Sequence, residues 1–162
     1  MDILKRNLLS ASAVLAAASA VLSVTVLAKE KTMSTLIERN KQNAVGFYDL
    51  MFNKSQPRLA IEKYTGATYI QHNPEVADGK EAFIAYFEKM AKEYPNKRVE
   101  FVRVIAEGNF VVLHCRQFWP GFKDPDWAGI DIFRCDADGK IVEHWDVLQI
   151  VPKRMAHGNG MF

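Results

Sequence analysis

Residues 129–149, GIDIFRCDADGKIVEHWDVLQ, decide the fold of this chain. Two runs rich in Ile, Val and Phe flank the turn segment DADG, which predicts a β-hairpin. Polar side chains interrupt both runs: Asp131 stands in the first, and a cluster from Glu143 to Asp146 stands in the second. Because a strand alternates its faces, these polar residues mark the face on which to look for function.

The segments before this hairpin predict an α+β domain. Further β-rich runs at residues 98–107 and 109–119 join residues 129–135 and 140–151 in a four-stranded meander. Helical periodicity dominates the first half of the chain, with predicted helices at about residues 34–53, at 57–64, and from Asp78 to Tyr94, where Pro95 stops the third helix. A short strand, residues 68–72, separates the second and third helices. Helices followed by an antiparallel sheet define the α+β class, in which the helices cover one face of the sheet.

Capping signals set the predicted starts of two helices. Thr35 with Glu38, and Asp78 with Glu81, have the spacing of a capping box. We therefore expect the first helix to begin near Thr35 and the third near Asp78.

Residues 1–28 have the layout of a secretory signal peptide. Lys5 and Arg6 precede an apolar run of small residues that ends at Ala28, after which the chain becomes abruptly charged. Cleavage after Ala28, or alternatively after the segment Ala18-Ser19-Ala20, would release a secreted or periplasmic domain. The alternatives are an uncleaved membrane anchor, a folded helix, and a cytoplasmic protein whose translation starts at Met33.

Composition favours a single domain with no nucleic-acid partner. The 162 residues carry a formal net charge of +2, with basic and acidic residues interspersed, so that no basic stripe is present. The two cysteines, Cys115 and Cys135, fall in strands that could be neighbours. Either a disulfide or two buried thiols is consistent with that placement.

Asp131 is the first candidate for acid–base chemistry. An aspartate between isoleucines is costly to bury, and burial raises the pKa of a carboxyl group toward neutrality. His114 comes opposite Asp131 if the intervening loop is centred near Phe122 and Lys123, and the two would form a proton-transfer pair. The structural alternative is an ion pair between Asp131 and Arg134.

The hairpin turn can close in two ways, which place different residues beside Asp131. A two-residue turn puts Asp131 across from His144, with Asp146 on the same face. A three-residue loop with Gly139 at a bulge puts Asp131 across from Trp145 instead, and the sequence favours it slightly because Gly tolerates a left-handed backbone. A slip of one residue exchanges the two faces.

Two more residues outside the hairpin are candidates for ligand contact. His72 ends the short strand before Asn73-Pro74, where it lines a site or caps a loop. Trp119 belongs to an aromatic loop that forms either a lid over a pocket or a plug at the open end of the sheet. The histidine and carboxylate spacings match no metal motif, so we expect no metal ligands.

Several of these segments together resemble the SnoaL-like polyketide cyclase family: YIQHNP at 69–74, DG at 78–79, DIFR at 131–134, DGKIVEHWD at 138–146, and Gln149. The resemblance covers nearly the whole chain after residue 28. It implies a fold similar to nuclear transport factor two, in which a cone-shaped, curved antiparallel sheet and three helices surround an apolar pocket. It also implies chemistry without a cofactor, with Asp131 as the general acid/base and His114 nearby.

The resulting functional hypothesis is a cofactor-independent acid/base enzyme, of the aldol-condensing cyclase or lyase type or an isomerase, acting on a small hydrophobic carbonyl compound. The alternative is a non-catalytic module that binds a small ligand or dimerises. The expected substrate-binding residues are Tyr69, His72, Trp119, His144, Trp145, Asp146 and Gln149. We expect a homodimer through the open sheet face, with Met161-Phe162 at the contact, and membrane contact only if the leader is not cleaved.

Overall fold

The computed structural model describes the backbone of residues 3–162 and the side chains of residues 26–162. It contains two units, Met1–Leu36 and Ile37–Phe162. Apart from its last three positions, the predicted leader lies outside the residues whose side chains are described, and it stays a prediction. Within the described residues, no helix is long and apolar enough to cross a membrane.

The second unit holds the sheet and the helices that pack on it. The α-helices are α1 (Ile3–Tyr48, which begins in the first unit), α2 (Pro57–Tyr64) and α3 (Lys80–Glu93), and a π-helical turn, Asp49–Asn53, follows α1. The strands are β1 (Thr65–Gln71), β2 (Arg98–Glu107), β3 (Phe110–Phe118), β4 (Asp126–Cys135) and β5 (Ile141–Ile150). The curved, unclosed sheet has the order β1-β5-β4-β3-β2, which confirms the α+β class and the meander. Strand β1 adds to it parallel to β5.

Both predicted capping boxes are wrong. Helix α1 begins far upstream of Thr35, whose hydroxyl donates to the Lys31 carbonyl oxygen at 2.9 Å, inside the helix. Helix α3 begins after Gly79 with no side-chain cap. Asp78 instead accepts a hydrogen bond from the Gln71 backbone N–H at 2.8 Å, which fixes the end of β1.

An aromatic core fills the space between the helices and one face of the sheet. The last turns of α1 present a stripe of buried residues, including Ala44 and Phe47, at the helical spacing that the sequence indicates. The Phe47 ring lies 5.3 Å from that of Phe83 on α3 and 6.1 Å from that of Phe133 on β4. We call this helix-covered side of the sheet the inner face and the opposite side the outer face.

The register of the β4–β5 hairpin differs from both predicted versions. Asp131 pairs with Asp146, and the bulge lies between Arg134 and Cys135 rather than within the loop. His144 and Asp146 nevertheless share the inner face with Asp131, as the two-residue turn predicted. Trp145 lies on the outer face, so the interpretation that the sequence favoured slightly is wrong.

Both cysteines are free and buried on neighbouring strands. Cys115 pairs with Gly129, whereas Cys135 lies at the far end of β4 and pairs with Ile141. Burial raises the pKa of both thiols, that of Cys135 to about 11, so both remain protonated near neutral pH. The structure therefore supports the interpretation of two buried thiols.

Gly139→Ala tests the hairpin turn. Gly139 has φ +77°, and an added Cβ would lie 2.5 Å from Arg39 Nε and 2.9 Å from Asn40 Oδ1. We expect a loss of more than about 1–2 kcal/mol of unfolding free energy, because the left-handed backbone strain and the contact both oppose alanine. Chemical denaturation measures the change.

The control for this variant is Gly108→Ala. Gly108 has φ +56° but nothing within 4 Å of an added Cβ, so this substitution reports the backbone strain alone. Equal losses for the two variants would show that the contact with Arg39 and Asn40 contributes nothing.

Candidate functional site

A buried carboxylate lies at the centre of the candidate site. Asp131 is fully buried on β4, and the Tyr48 hydroxyl donates a hydrogen bond to Asp131 Oδ1. His144 Nε2, from β5, lies 2.9 Å from Tyr48 Oη and 3.4 Å from Asp131 Oδ1. Burial, together with the charge of Asp131, raises the pKa of Tyr48 well above its usual value. Tyr48 therefore remains a hydroxyl group that bridges the other two.

Gln71 determines which nitrogen of His144 carries hydrogen. Gln71 Oε1 accepts from the backbone N–H groups of His72 and Asn73, both at 2.9 Å, while its Nε2 donates to Tyr69 Oη at 3.2 Å. This orients the amide, so that its oxygen is the atom 3.0 Å from His144 Nδ1. Because a carbonyl oxygen only accepts, Nδ1 carries the hydrogen and Nε2 is the atom that exchanges protons.

One additional proton satisfies the three groups in two ways. In the first, Tyr48 donates to an ionised Asp131, and a protonated His144 donates from Nε2. In the second, a protonated Asp131 donates to Tyr48, which donates to a neutral His144. These arrangements differ only by shifts of protons along the hydrogen bonds, so the group can store a proton and deliver it through His144.

A π-helical turn fixes the position of Tyr48. Tyr48 is the last residue of α1 and directly precedes the turn Asp49–Asn53. Asn53 ties this turn to the first residues of β2, because its Oδ1 accepts from Val99 N–H at 2.9 Å and its Nδ2 donates to Val99 O at 3.2 Å. Such turns interrupt α-helices frequently at functional sites.

Asp146 faces this group across a small pocket. Asn73 Nδ2 donates to Asp146 Oδ2 at 2.7 Å, while burial raises the pKa of the Asp146 carboxyl group. The inner pocket has a volume of about 50 Å³, and Tyr48, Gln117 and His144 lie on its wall with Asp146. A wider outer cleft of about 670 Å³ adjoins it, and Asp146 and Trp119 line both.

Asp131, His144 and Asp146 could together offer ligands to a metal ion. One oxygen or nitrogen atom from each lies within 4.8 Å of the others. However, Asp131 Oδ1 already accepts from Tyr48, and both nitrogens of His144 already have polar neighbours. These contacts would compete with a metal ion for Asp131 Oδ1 and His144, whereas Asp131 Oδ2 is buried without a hydrogen-bond partner among the described residues.

The predicted pair of Asp131 with His114 does not form. Leu113 pairs with Asp131, and His114 pairs with Ile130, because the loop is centred on Phe122 alone. This shift of one residue turns His114 to the outer face, where its Nδ1 lies 2.8 Å from Arg103 Nη1 and its ring stacks on Phe162 at 5.6 Å. The structure thus corrects the position of His114.

Three predicted substrate contacts also lie away from the pocket. His72 stacks on Trp145 with ring centroids 4.8 Å apart, and His72 Nε2 lies 2.9 Å from Glu143 Oε1. Glu143 also accepts from Arg134 Nε at 2.7 Å, so the alternative pairing of Arg134 with Asp131 is wrong. Gln149 is exposed and follows Leu148, a pocket residue, so it too faces outward.

The remaining predicted residues belong to the inner side. Trp119, His144 and Asp146 line the pocket. Tyr69 is buried in the core and supports the site through its hydrogen bond from Gln71. Asp131 lies behind Tyr48 and His144 and is absent from the residues that line the cavity.

Sequence reasoning missed four polar residues of the site: Tyr48, Gln71, Asn73 and Gln117. Tyr48 has the spacing of a core stripe, so its hydroxyl gave no separate signal. Gln71 and Asn73 flank His72 in a motif that the sequence analysis quoted, and strand alternation pointed to them once His72 was placed outside. Gln117 is buried to 2% exposure on β3, but it follows Arg116 in the sequence and so lacks the two apolar neighbours that drew attention to Asp131.

Comparisons with known proteins agree on the fold. A family model described as a SnoaL-like domain matches residues 44–144. Among curated proteins, no sequence matches significantly. Three similar solved structures are at most 22% identical to this chain, so the likeness shows the fold alone.

TsrD from Streptomyces laurentii is 22% identical over 68% of this chain and 88% of its own, with a TM-score of 0.56. AclR from Streptomyces galilaeus, a candidate hydroxylase, is 21% identical over 72% and 82%, with a TM-score of 0.58. A candidate SnoaL-like polyketide cyclase from Jannaschia sp. CCS1 is 19% identical over 70% and 87%, with a TM-score of 0.56.

Asp146→Asn tests the electrostatics of the pocket through stability. Burial raises the pKa of Asp146 above its unfolded value, so the folded state carries a penalty that is absent in acid and grows as pH rises toward the folded pKa. An amide never acquires that charge. We expect Asp146→Asn to gain unfolding free energy relative to the wild type at about pH 7 and to lose this advantage near pH 3.

Glu143→Gln provides a control of opposite sign. Hydrogen bonds from His72 and Arg134 lower the pKa of Glu143, so it contributes stability above its unfolded pKa that is lost as pH falls through the folded pKa. This variant should be less stable than the wild type near neutrality and should converge with it in acid. If the stability of both variants relative to the wild type changed in the same direction with pH, the raised pKa of Asp146 and the lowered pKa of Glu143 would be contradicted.

Proposed function

Since this chain belongs to the SnoaL-like domain family, we propose that it is a cofactor-independent acid/base enzyme that acts on a small hydrophobic carbonyl compound. The reaction is an aldol-type condensation or cyclisation, or an isomerisation. One observation carries the proposal: Tyr48, His144 and Asp131 form a buried hydrogen-bonded group, and two of its members, Tyr48 and His144, line a pocket with largely aromatic and aliphatic walls. Such a group can hold a proton close to a reacting carbonyl.

Asp146 is the base of this mechanism. It lines the pocket, whereas Asp131 does not, and burial raises its pKa, which strengthens the carboxylate as a base. The Asn73 amide holds one carboxylate oxygen, Oδ2, and leaves the other available. Asp146 takes a proton from the carbon beside the carbonyl group, and the electrons of the C–H bond form the enolate.

His144 is the acid. Its Nε2 belongs to the group that stores a proton, and Asp131 stabilises the protonated imidazole from behind. The developing enolate oxygen accepts a hydrogen bond or a proton from His144, in a site with little water. Asp131 therefore acts as a positioning residue.

The enol can then react in two ways that conserve all atoms. In an aldol step its carbon attacks a second carbonyl of the substrate, whose oxygen takes the proton held by Asp146, while the first carbonyl re-forms and returns its O–H proton to His144 Nε2. In an isomerisation Asp146 returns the proton to another carbon. The sequence-based hypothesis thus keeps its reaction class, while the base moves from Asp131 to Asp146 and the histidine from His114 to His144.

His144→Gln tests the proposal. The assay measures exchange of the acidic hydrogens of a panel of β-dicarbonyl compounds for deuterium, which needs no knowledge of the natural substrate. We expect the variant to lose about 10²–10⁴-fold in exchange rate, the usual contribution of a positioned acid or base. Asp131→Asn should also lower the rate, with an altered pH profile.

His114→Gln is the matched control, since His114 lies on the outer face of the same sheet. It should exchange hydrogens at the wild-type rate. Wild-type activity in His144→Gln, or an equal loss in His114→Gln, would overturn the assignment. Absence of exchange in the wild-type protein on every compound would favour the non-catalytic binding module instead.

We also propose that the outer face of the sheet pairs with a second copy of this chain. Ile105, Val112, Ile132 and Trp145 form one continuous cross-strand row there. Ile105 and Ile130 are 59% and 41% exposed, although both are large apolar side chains. Arginines and glutamates flank the row, and Arg134 and Glu143 pair with each other at 2.7 Å, so this pair leaves no net charge to repel a second copy.

The end of the chain lies on the same outer face. The Phe162 ring stacks on His114 at 5.6 Å and lies 5.4 Å from the Arg116 guanidinium group. This placement supports the expectation that Met161-Phe162 contributes to the contact between copies.

Ile130→Glu tests the dimer, because it places a charge in the apolar face. We expect a dimer at micromolar concentration for the wild type, and dimerisation at least tenfold weaker in affinity for the variant, measured by light scattering after gel filtration. Leu59→Glu, at a 45% exposed position on α2, should leave the dimer intact. A monomeric wild type, or an unchanged dimer in Ile130→Glu, would contradict the proposal.

A further inference from the structure

The outer cleft has rigid aromatic walls. It encloses about 670 Å³ beyond the inner pocket, and its aromatic lining residues are Tyr86, Trp119, Phe122 and Trp127. Trp127 Nε1 donates to the Asp124 carbonyl oxygen at 2.7 Å, which fixes the indole ring. The Phe122 ring is stacked on Tyr94 at 4.4 Å and lies 5.7 Å from the Trp119 ring. These rings are held in place before any ligand arrives.

The charges in the cleft are all negative. Glu75 and Asp146 are its charged residues, and no Lys, Arg or His is among the described residues that line it. Glu75 forms no ion pair within the part of the chain whose side chains are described, so its charge is available. Burial is the main cause that raises the pKa of Tyr86, and the charges of Glu75 and Asp146 raise it further.

We propose that the cleft binds an organic cation, in which an ammonium group is carried on an apolar body. The faces of tryptophan and tyrosine rings attract a cation, and the attraction strengthens where water is excluded. Glu75 and Asp146 add the opposite charge. A carboxylate, sulfonate or phosphate in the same place would lose its hydration and find no basic partner, so anions are excluded.

This inference rests on the proposed function in one respect: it takes the cleft as the entrance to the reaction pocket. It then names the substrate class as a carbonyl compound that carries an amine or a quaternary ammonium group. Asp146 lies on the walls of both cavities, so the charged group and the reacting carbonyl would lie on either side of it.

Three probes of nearly equal shape test the inference in the full chain. They are 2-naphthylmethyl-trimethylammonium, its uncharged analogue 2-neopentylnaphthalene, and the anion 2-naphthylmethanesulfonate. Isothermal titration calorimetry measures each dissociation constant. We expect the cation to bind at least about tenfold more tightly than the neutral probe, and the anion to bind more weakly than both. Added salt should weaken the binding of the cationic probe only.

Glu75→Gln separates the charge of the cleft from its shape. We expect this variant to lose severalfold in affinity for the cation and nothing for the neutral probe. Glu62→Gln, at an exposed position on α2, is the control and should bind all three probes like the wild type. His144→Gln should keep the preference for the cation even if it abolishes exchange, so failure of the proposed function and failure of this inference are distinguishable.

Three results would overturn the inference. The first is equal or tighter binding of the neutral or anionic probe. The second is an unchanged preference for the cation in Glu75→Gln. The third is the absence of binding by all three probes.

Discussion

The hydrogen bond between the Tyr48 hydroxyl and Asp131 is the interaction on which the functional side of this structure depends. Asp131 has no exposed surface, and an ionised carboxylate in such a place is costly unless hydrogen-bond donors and a partner charge surround it. Tyr48 and His144, from α1 and β5, meet that requirement at Oδ1 only, and Oδ2 is buried without a hydrogen-bond partner in the part of the chain that the structure describes. The atoms that form the candidate site thus also link the helical layer to the sheet.

Strand alternation separates two polar systems that are neighbours along the chain. Asp131, His144 and Asp146 point inward, while Arg134, Glu143 and His72 form a chain of contacts outside. Asp131 and His144 are buried, and the Tyr48 hydroxyl joins them by hydrogen bonds. The outer group is partly exposed, so solvent screens its ion pairs and limits their contribution to the free energy of folding.

The sequence was sufficient for the architecture because the signals there are redundant. Runs of Val, Ile and Phe predicted the meander, and Pro57 and Tyr64 bounded α2 correctly. The prediction that Asp131 is buried depended on one simple fact, an aspartate between two isoleucines. None of these inferences required knowledge of which residues pair between neighbouring strands.

Register is where sequence reasoning failed, because side chains change faces with a slip of one residue. The loop is centred on Phe122 and not between Phe122 and Lys123. Leu113 therefore pairs with Asp131 in the place predicted for His114. Tyr48 was missed for another reason. Its hydroxyl meets a partner 83 residues away, and no local pattern distinguishes such a tyrosine from one that only fills the core.

The π-helical turn at Asp49–Asn53 has a consequence for comparing this chain with its relatives. A single π turn contains one residue more than the α-helical turn that would replace it. A relative with an uninterrupted helix would therefore align with this segment only across a gap of one residue. An alignment that omits the gap would set Tyr48 against a residue of the neighbouring helix face, and a shared site would pass unnoticed.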